Sequence, residues 1–364
     1  MRLSKKSKPM KKITRRKTKI VKIGDVKIGG ENPIAVQSMT KTDTRNVKKT
    51  VSQIKKLAEI GCEIIRVAVP DMEAAKSLGE IKRQIQIPLV ADIHFSSDLA
   101  LEAIRQGVDK IRINPGNIGN EERIKAVVLA AKKRGIPIRI GVNSGSLEKD
   151  LLLKYNNIVT SQAMVESALR NIKILEKYGS ADIVVSLKAS DIKRTINAYR
   201  LLSEKVDYPL HLGITEAGTF FRGTIMSAIG LGILLEKGIG DTIRISLSAP
   251  PSEEVRVGWE ILKSLKIRKR GVTITSCPTC GRTEINLLEL TEKIEKATQR
   301  ISKDLHLAVM GCVVNGPGEA KEADLAIVGG KKVGLILKKG EIIRKAPEKK
   351  LFQEFMKELK KLAN

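Results

Sequence analysis

From residue 33 onward the chain alternates short β-branched runs with longer stretches in which apolar residues return every three or four positions. The runs cover 33–39, 63–69, 88–94, 109–114, 137–143, 182–188, 209–215 and 241–248. Between them lie amphipathic helical segments. In 47–58, for example, the apolar positions Val47, Val51, Ile54 and Leu57 share one face, and Gly61 closes the segment. Eight such units predict an α/β fold, a (β/α)8 TIM barrel, over 23–266. A doubly wound sheet is the weaker alternative, because no glycine-rich dinucleotide turn follows the first run.

The pattern changes after Ser248. Pro250-Pro251 interrupts it, a last helix runs to about Leu265, and the basic stretch 266–270 leads into a new region. Residues 271–364 read as strand, cysteine loop, helix, three or four strands and a terminal amphipathic helix. That order predicts a small α+β module following the barrel, with turns at Gly329-Gly330 and Lys339-Gly340.

A parallel barrel carries its chemistry where its strands end. Polar residues recur there: Gln37, Arg66, Asp92 with His94, Arg112 with Asn114, Arg139 with Asn143, Lys188, Thr215 with Glu216, and Ser246 with Ser248. Spacing by two puts the members of each strand pair on one face, and helices cover the outer face, so these residues are expected in the mouth. For any one of them a buried polar network is an alternative role. Together the cations, imidazole and amides suit a multiply phosphorylated small molecule, with forked donors from arginine and a point charge from lysine. Gly116, Asn117 and Gly119 are candidate backbone donors after the fourth strand. Glu216 lies in Gly213-Ile-Thr-Glu-Ala-Gly218, where it reads either as a proton donor or acceptor or as a salt-bridge partner of Lys188 or an arginine. His211, alone in an apolar run, reads as a core residue.

Charge complicates this picture. Lys and Arg number 67 against 40 Asp and Glu, giving a formal +27. Residues 1–22 contain eleven of those cations and no acid, which predicts a disordered basic arm. A nucleic-acid binder would also need stacking surfaces, and the chain holds only one Trp, four Tyr and five Phe. No run is long and apolar enough for a membrane span, and no secretory signal follows the basic start. A cytoplasmic protein with no membrane or specific nucleic-acid partner is expected.

Four cysteines without a signal peptide point to a reducing compartment, where grouped thiols tend to bind metal. Cys277 and Cys280 form a CxxC in a Gly/Pro-rich loop, and Cys312 occupies another. Cys62 precedes the second strand, at the bottom of the barrel, and reads as an ordinary buried thiol. The other three fit a zinc site completed by His306, a [4Fe-4S] cluster completed by an oxygen ligand such as Glu319, or a redox dithiol. A zinc-stabilised barrel lyase using Lys188 as a Schiff base and a nucleic-acid-binding protein are the alternative functions.

The motifs Val36-Gln-Ser-Met-Thr40, Val90-Ala-Asp-Ile-His-Phe95, Arg112-Ile-Asn-Pro-Gly116 and Ile140-Gly-Val-Asn-Ser-Gly145 occur in order along the barrel. Ser186-Leu-Lys-Ala-Ser190, Gly213 to Gly218, Ser276-Cys-Pro-Thr-Cys-Gly-Arg282 and Gly311-Cys-Val-Val-Asn-Gly-Pro-Gly-Glu319 follow. In these motifs the chain resembles the bacterial 4-hydroxy-3-methylbut-2-en-1-yl diphosphate synthase family. The resemblance spans about Lys19 to Ile343. It implies reductive opening and dehydroxylation of 2-C-methyl-D-erythritol 2,4-cyclodiphosphate by single electrons passed through a [4Fe-4S] cluster. It implies cluster ligation by Cys277, Cys280, Cys312 and Glu319. The substrate positions it implies are Arg66, Asp92, His94, Arg112, Asn114, Arg139, Asn143, Lys188 and Ser246, with Glu216 in acid/base work. It further implies a homodimer and reduced flavodoxin or ferredoxin as electron donor.

Overall fold

The computed structural model describes residues 13–114, 118, 120–314 and 316–363. Two compact units meet in sequence at Arg268 and Lys269, inside the basic stretch expected to link them.

The first unit opens with an antiparallel hairpin, β1 (Val21–Ile23) and β2 (Val26–Ile28). Eight parallel strands follow: β3 (Ala35–Met39), β4 (Ile64–Ala68), β5 (Leu89–Asp92), β6 (Lys110–Ile113), β7 (Ile138–Asn143), β8 (Ile183–Lys188), β9 (His211–Leu212) and β10 (Thr242–Ile243). Their order is β8-β7-β6-β5-β4-β3-β10-β9, and a bridge from Val185 to Leu210 closes the ring. Each expected run therefore holds one barrel strand. The last two are only two residues long, although pairing continues irregularly to Arg244, whose N–H donates to Leu212 O at 3.0 Å.

Polar caps set where the intervening helices begin. Asn46, Asp71, Ser96, Asn120, Thr160 and Asp191 each accept a hydrogen bond from the backbone N–H three residues on, satisfying a donor that the first helical turn leaves free. The helices cover the outer strand faces, burying Val36, Ile65, Ala91, Ile111, Ile138 and Val185 among their own apolar residues. Inside the ring the arrangement is layered. Val21, Ile23 and Ile28 of the hairpin pack with Ala35, Ile64, Val90 and Val184, forming an apolar floor.

The basic arm departs from expectation. Residues 1–12 lie outside the described residues, but from Arg15 the chain is attached to the foot of the barrel. Arg15 pairs with buried Asp241 at 2.7 Å and donates to the carbonyl of Asn32; Arg16 donates to the carbonyls of Val206 and Tyr208. Thr18 also donates to Asp241, at 3.2 Å. Lysine-rich composition predicts a solvated tail throughout 1–22, whereas these two arginines donate to carbonyls at the barrel foot and to the Asp241 oxygen opposite the one that accepts the Leu210 N–H, and β1 begins at Val21.

The second unit is a five-stranded sheet in the order β11 (Val272–Ser276), β12 (Leu305–Met310), β13 (Leu325–Gly330), β14 (Val333–Lys338) and β15 (Glu341–Pro347). The first three strands are parallel and the last two join antiparallel. Helices Leu287–Thr298 and Glu348–Ala363 bury Leu287, Ile294, Leu351, Phe355 and Leu359 in a core of its own. Lys339 and Gly340, both at positive φ, make the expected turn. Gly329 and Gly330 instead belong to β13, and the turn falls at Lys331-Lys332, where Lys332 takes the positive φ.

Candidate functional site

Strand alternation builds the site directly above the floor. Ala35, Ile64, Val90 and Val184 meet the hairpin, so two residues on the same face presents Gln37, Arg66, Asp92 and Ser186. Register extends that face around the ring: Lys110 beside Val90, Arg112 beside both Asp92 and Arg139, and Asn143 beside Lys188.

Asp92 is the hub. Its carboxylate accepts from Arg112 Nη1 at 3.1 Å and has Arg66 Nε at 3.6 Å and His94 Nε2 at 3.5 Å. Burial alone would push this carboxyl up, but Arg66, His94, Arg112 and Arg139 override it and hold it well below the usual carboxylate range. Arg112 also reaches His94 Nε2 at 2.8 Å and donates to Gly141 O at 3.3 Å. Gly141 is required there, because a Cβ at this position would collide with the Arg112 guanidinium. Arg66 lies against Met39, with Nη2 3.0 Å from Sδ.

The surplus is positive. Arg66, Arg112, Arg139 and Lys188 are buried, and so is Lys110 beneath them. Arg139 is only 1% exposed, yet its Nε and Nη1 have no hydrogen-bond partner, and neither does Lys110 Nζ. Burial first, then neighbouring cations, holds Lys188 and Lys110 well below the ordinary lysine value. Buried unpaired donors are costly, so a site that keeps them is organised for an anion. Asn114 is also buried with Oδ1 unpartnered.

Two members of this set escaped the strand-end reading. Lys110 is two residues before Arg112, and Arg244 is two before Ser246, to whose hydroxyl it donates at 2.7 Å. Period-two spacing from recognised residues would have found both. Arg244 also approaches buried Glu254, whose second oxygen accepts the Leu247 N–H at 3.0 Å.

Glu216 occupies the turn after β9 at φ 52, between Gly213 and Gly218, with an exposed side chain. A Cβ at Gly213 would collide with Lys188 Nζ, so this loop passes directly over the lysine. Gly218 O accepts the Ser248 N–H at 2.9 Å, tying the turn to the strand end that follows β10. His211 is fully buried with Nδ1 2.7 Å from Thr242 Oγ1, while its Nε2 has no partner, so it is only half satisfied as a core residue. The candidate donors Gly116, Asn117 and Gly119 lie outside the described residues.

The thiols are positioned differently. Cys277 immediately follows β11 and Cys312 follows β12, its parallel neighbour. Gly311 N–H donates to Cys277 Sγ at 3.3 Å, so the two loops touch. Cys280 is exposed, and hydrogen bonds from the backbone and side chain of Arg282 draw its thiol below the ordinary value. Glu319 is exposed on the short helix Gly316–Ala320. Among the described residues no three Cys, His, Asp or Glu side chains are close enough to hold a metal, so the four expected ligands are not drawn into one group. The donor chemistry still suits iron and sulfide: soft thiols in glycine-rich loops, beside backbone N–H groups. His306 does not fit as a fourth ligand, since Nε2 is 2.8 Å from Thr275 Oγ1 and Nδ1 is 3.1 Å from Glu322 O. Cys62 is buried as expected, its thiol pushed up to about 12 by burial. Among the described residues no helix is long and apolar enough to cross a membrane.

Residues 18–259 match the family model described as the GcpE TIM-barrel domain, and 273–361 match the GcpE protein C-terminal domain. A protein of Caldanaerobacter subterraneus subsp. tengcongensis, named 4-hydroxy-3-methylbut-2-en-1-yl diphosphate synthase (flavodoxin), is 62% identical over 97% of this chain and 98% of its own length. A protein of Clostridium acetobutylicum with the same name is 58% identical over 94% of this chain and 98% of its own. Among solved structures, an N-acetylneuraminic acid synthetase from Leptospira borgpetersenii aligns with TM-score 0.50 at 16% identity, over 77% of this chain and 96% of that one. That last likeness is one of fold alone.

Proposed function

The chain belongs to the GcpE family, and on that premise we propose that it converts 2-C-methyl-D-erythritol 2,4-cyclodiphosphate to 4-hydroxy-3-methylbut-2-enyl diphosphate. Two electrons and two protons enter, the ring C–O bond to the diphosphate opens, and one hydroxyl leaves as water. Reduced flavodoxin is the electron donor in this reading, the protein is cytoplasmic, and the working species is a homodimer.

The observation that carries the proposal is the unpaired cationic surplus around Asp92. Arg66, Arg112, Arg139 and Lys188 bind the diphosphate, and Asp92 fixes two of those guanidinium groups before substrate arrives. The same charges stabilise the negative charge that grows on the diphosphate as the ring opens. His94, Asn114, Asn143 and Ser246 complete the polar rim and orient the carbon skeleton. Glu216, on its turn beside Lys188, moves the proton that lets the hydroxyl depart. Cys277, Cys280, Cys312 and Glu319 hold a [4Fe-4S] cluster in this reading. When bound, the cluster supplies single electrons and a Lewis-acidic iron.

Anaerobic purification followed by an iron count and an absorption spectrum tests the cofactor. The expected result is a brown protein with about four irons per chain. Turnover of the cyclodiphosphate with reduced flavodoxin tests the reaction. A colourless protein with one zinc, or an iron-loaded protein inert toward the cyclodiphosphate, overturns the reading.

A further inference from the structure

Between the apolar floor and the mouth the barrel holds a polar layer that only Arg139 ties to the proposed function. Register places it. Lys110 stands beside Val90 and Arg139 beside Val184, both floor residues, and His211 stands beside Thr242, which is itself beside Ala35 of the floor. Each of these four polar side chains is at most 1% exposed. His211 is held through Thr242, with Nδ1 2.7 Å from its hydroxyl. Lys110 is the extreme member, fully buried with no hydrogen-bond partner for Nζ.

Its surroundings are cationic. The charged groups that face it are Arg66 from β4 and Arg139 from β7, with His211 from β9. Towards the mouth follow Arg112 on its own strand, Lys188 from β8 and Arg244 beyond β10. Among the described residues Asp92 of β5 is the one carboxylate on these strand faces, and Arg66, Arg112 and His94 already surround it. From below, the hairpin offers only Val21, Ile23 and Ile28. An ammonium in that position loses its hydration and gains no acceptor, so the free amine is the cheaper form. Burial first, then repulsion by Arg139 and Arg66, favours that form.

A diphosphate reverses the balance. It brings negative charge into a buried site and offsets the guanidinium groups that repel the proton, so the same nitrogen becomes a favourable place for a charge. We infer that Lys110 is a further anion-binding residue of this barrel, a free amine before the anion arrives, which takes up one proton as a diphosphate engages the arginines and then adds its charge to theirs from below. The inference rests on the diphosphate-binding part of the proposed function. The proton comes from solvent on binding and returns there on release, so the protons consumed in ring opening are unchanged. A lysine is suited to this task where an arginine is not, because a guanidinium stays charged whether or not an anion is bound.

The test is calorimetric titration of the anaerobically purified, iron-loaded full chain with the cyclodiphosphate, in Tris and in HEPES, whose ionisation enthalpies differ. Each phosphorus of this ligand carries a single acidic oxygen, already ionised, so a proton taken up on binding enters the protein. At about pH 8 the native chain is expected to take up about one proton, and Kd to weaken as pH rises, approaching about tenfold per pH unit. Lys110→Met, checked for folding by circular dichroism and for iron content, is expected to bind about tenfold more weakly with the uptake abolished and the pH dependence flattened. A purely structural lysine would leave the uptake in place. Uptake that survives in a folded Lys110→Met, or is absent from the native chain, overturns the role of Lys110, whereas a native chain that does not bind the cyclodiphosphate overturns the diphosphate reading itself. If Lys110→Met does not fold, Lys110→Gln is read in the same way. If neither folds, the native chain carrying isotope-labelled lysine decides by nuclear magnetic resonance, and no free-amine Cε signal that moves to the ammonium position on binding overturns the inference.

Discussion

Arg66, Asp92, Arg112 and Arg139 stand on parallel strands whose register fixes their spacing, whereas Cys277, Cys280 and Cys312 stand on loops that leave such strands. In the barrel each side chain is held by buried neighbours, and the ion pairs around Asp92 form from strand alignment alone. In the C-terminal unit the thiols share one loop-to-loop hydrogen bond, from Gly311 to Cys277, and Cys280 is exposed. The anion-binding residues of the proposed function are thus placed by strand register in the polypeptide itself. The cluster site of the proposed function would instead rest on loops, where ligand binding and local order are commonly coupled.

Substitutions separate the two regions, beginning with the largest effect. Cys312→Ser removes a thiolate that iron prefers over a hydroxyl. Iron content and turnover should collapse, while the barrel still binds the cyclodiphosphate by calorimetry. Glu216→Gln should keep both iron and substrate binding yet lower kcat by about 10³-fold, and an unaffected kcat would remove it from the proton-transfer role. Arg112→Lys exchanges a fork for a point charge and cannot reach Asp92, His94 and Gly141 O together. We expect kcat/KM to drop about 10²-fold with iron content unchanged.

Acid offers a graded contrast. The Asp92 carboxyl is held below its unfolded value of 3.8, so its contribution to barrel stability is fully present above about pH 4 and is lost as pH falls further. The urea midpoint of the barrel should fall below pH 4, and Asp92→Asn should start lower at pH 7 and vary less across that window. The smallest effect is expected at the foot. Arg15→Ala should cost about 2 kcal/mol of stability and leave turnover unchanged.

The barrel was legible because its strands are β-branched, its helices amphipathic and its polar pairs spaced by two. The spacing of Arg112 with Asn114 and of Arg139 with Asn143 is enough to put the members of each pair on one strand face. The floor hairpin was not legible. Two three-residue strands are too short to show a period, and Val21, Ile23 and Ile28 are embedded in lysines that suggested a tail. Lys110 was readable and overlooked, since it sits deeper on the Arg112 face. The positive φ of Glu216 was beyond reach, because non-glycine residues rarely adopt it and only the surrounding fold imposes it. For the thiols, sequence gave membership of a set, but loops carry no register from which a spacing can be read.

The apolar hairpin beneath the barrel has a kinetic meaning. Among the described residues the foot is stopped by the hairpin, so in the proposed function incoming cyclodiphosphate, outgoing linear diphosphate and the expelled water share the passage at the strand ends. Traffic through a single opening is strictly sequential. With the arginines in their proposed role, product has to vacate them before the next substrate reaches them, which makes product release a natural brake on turnover.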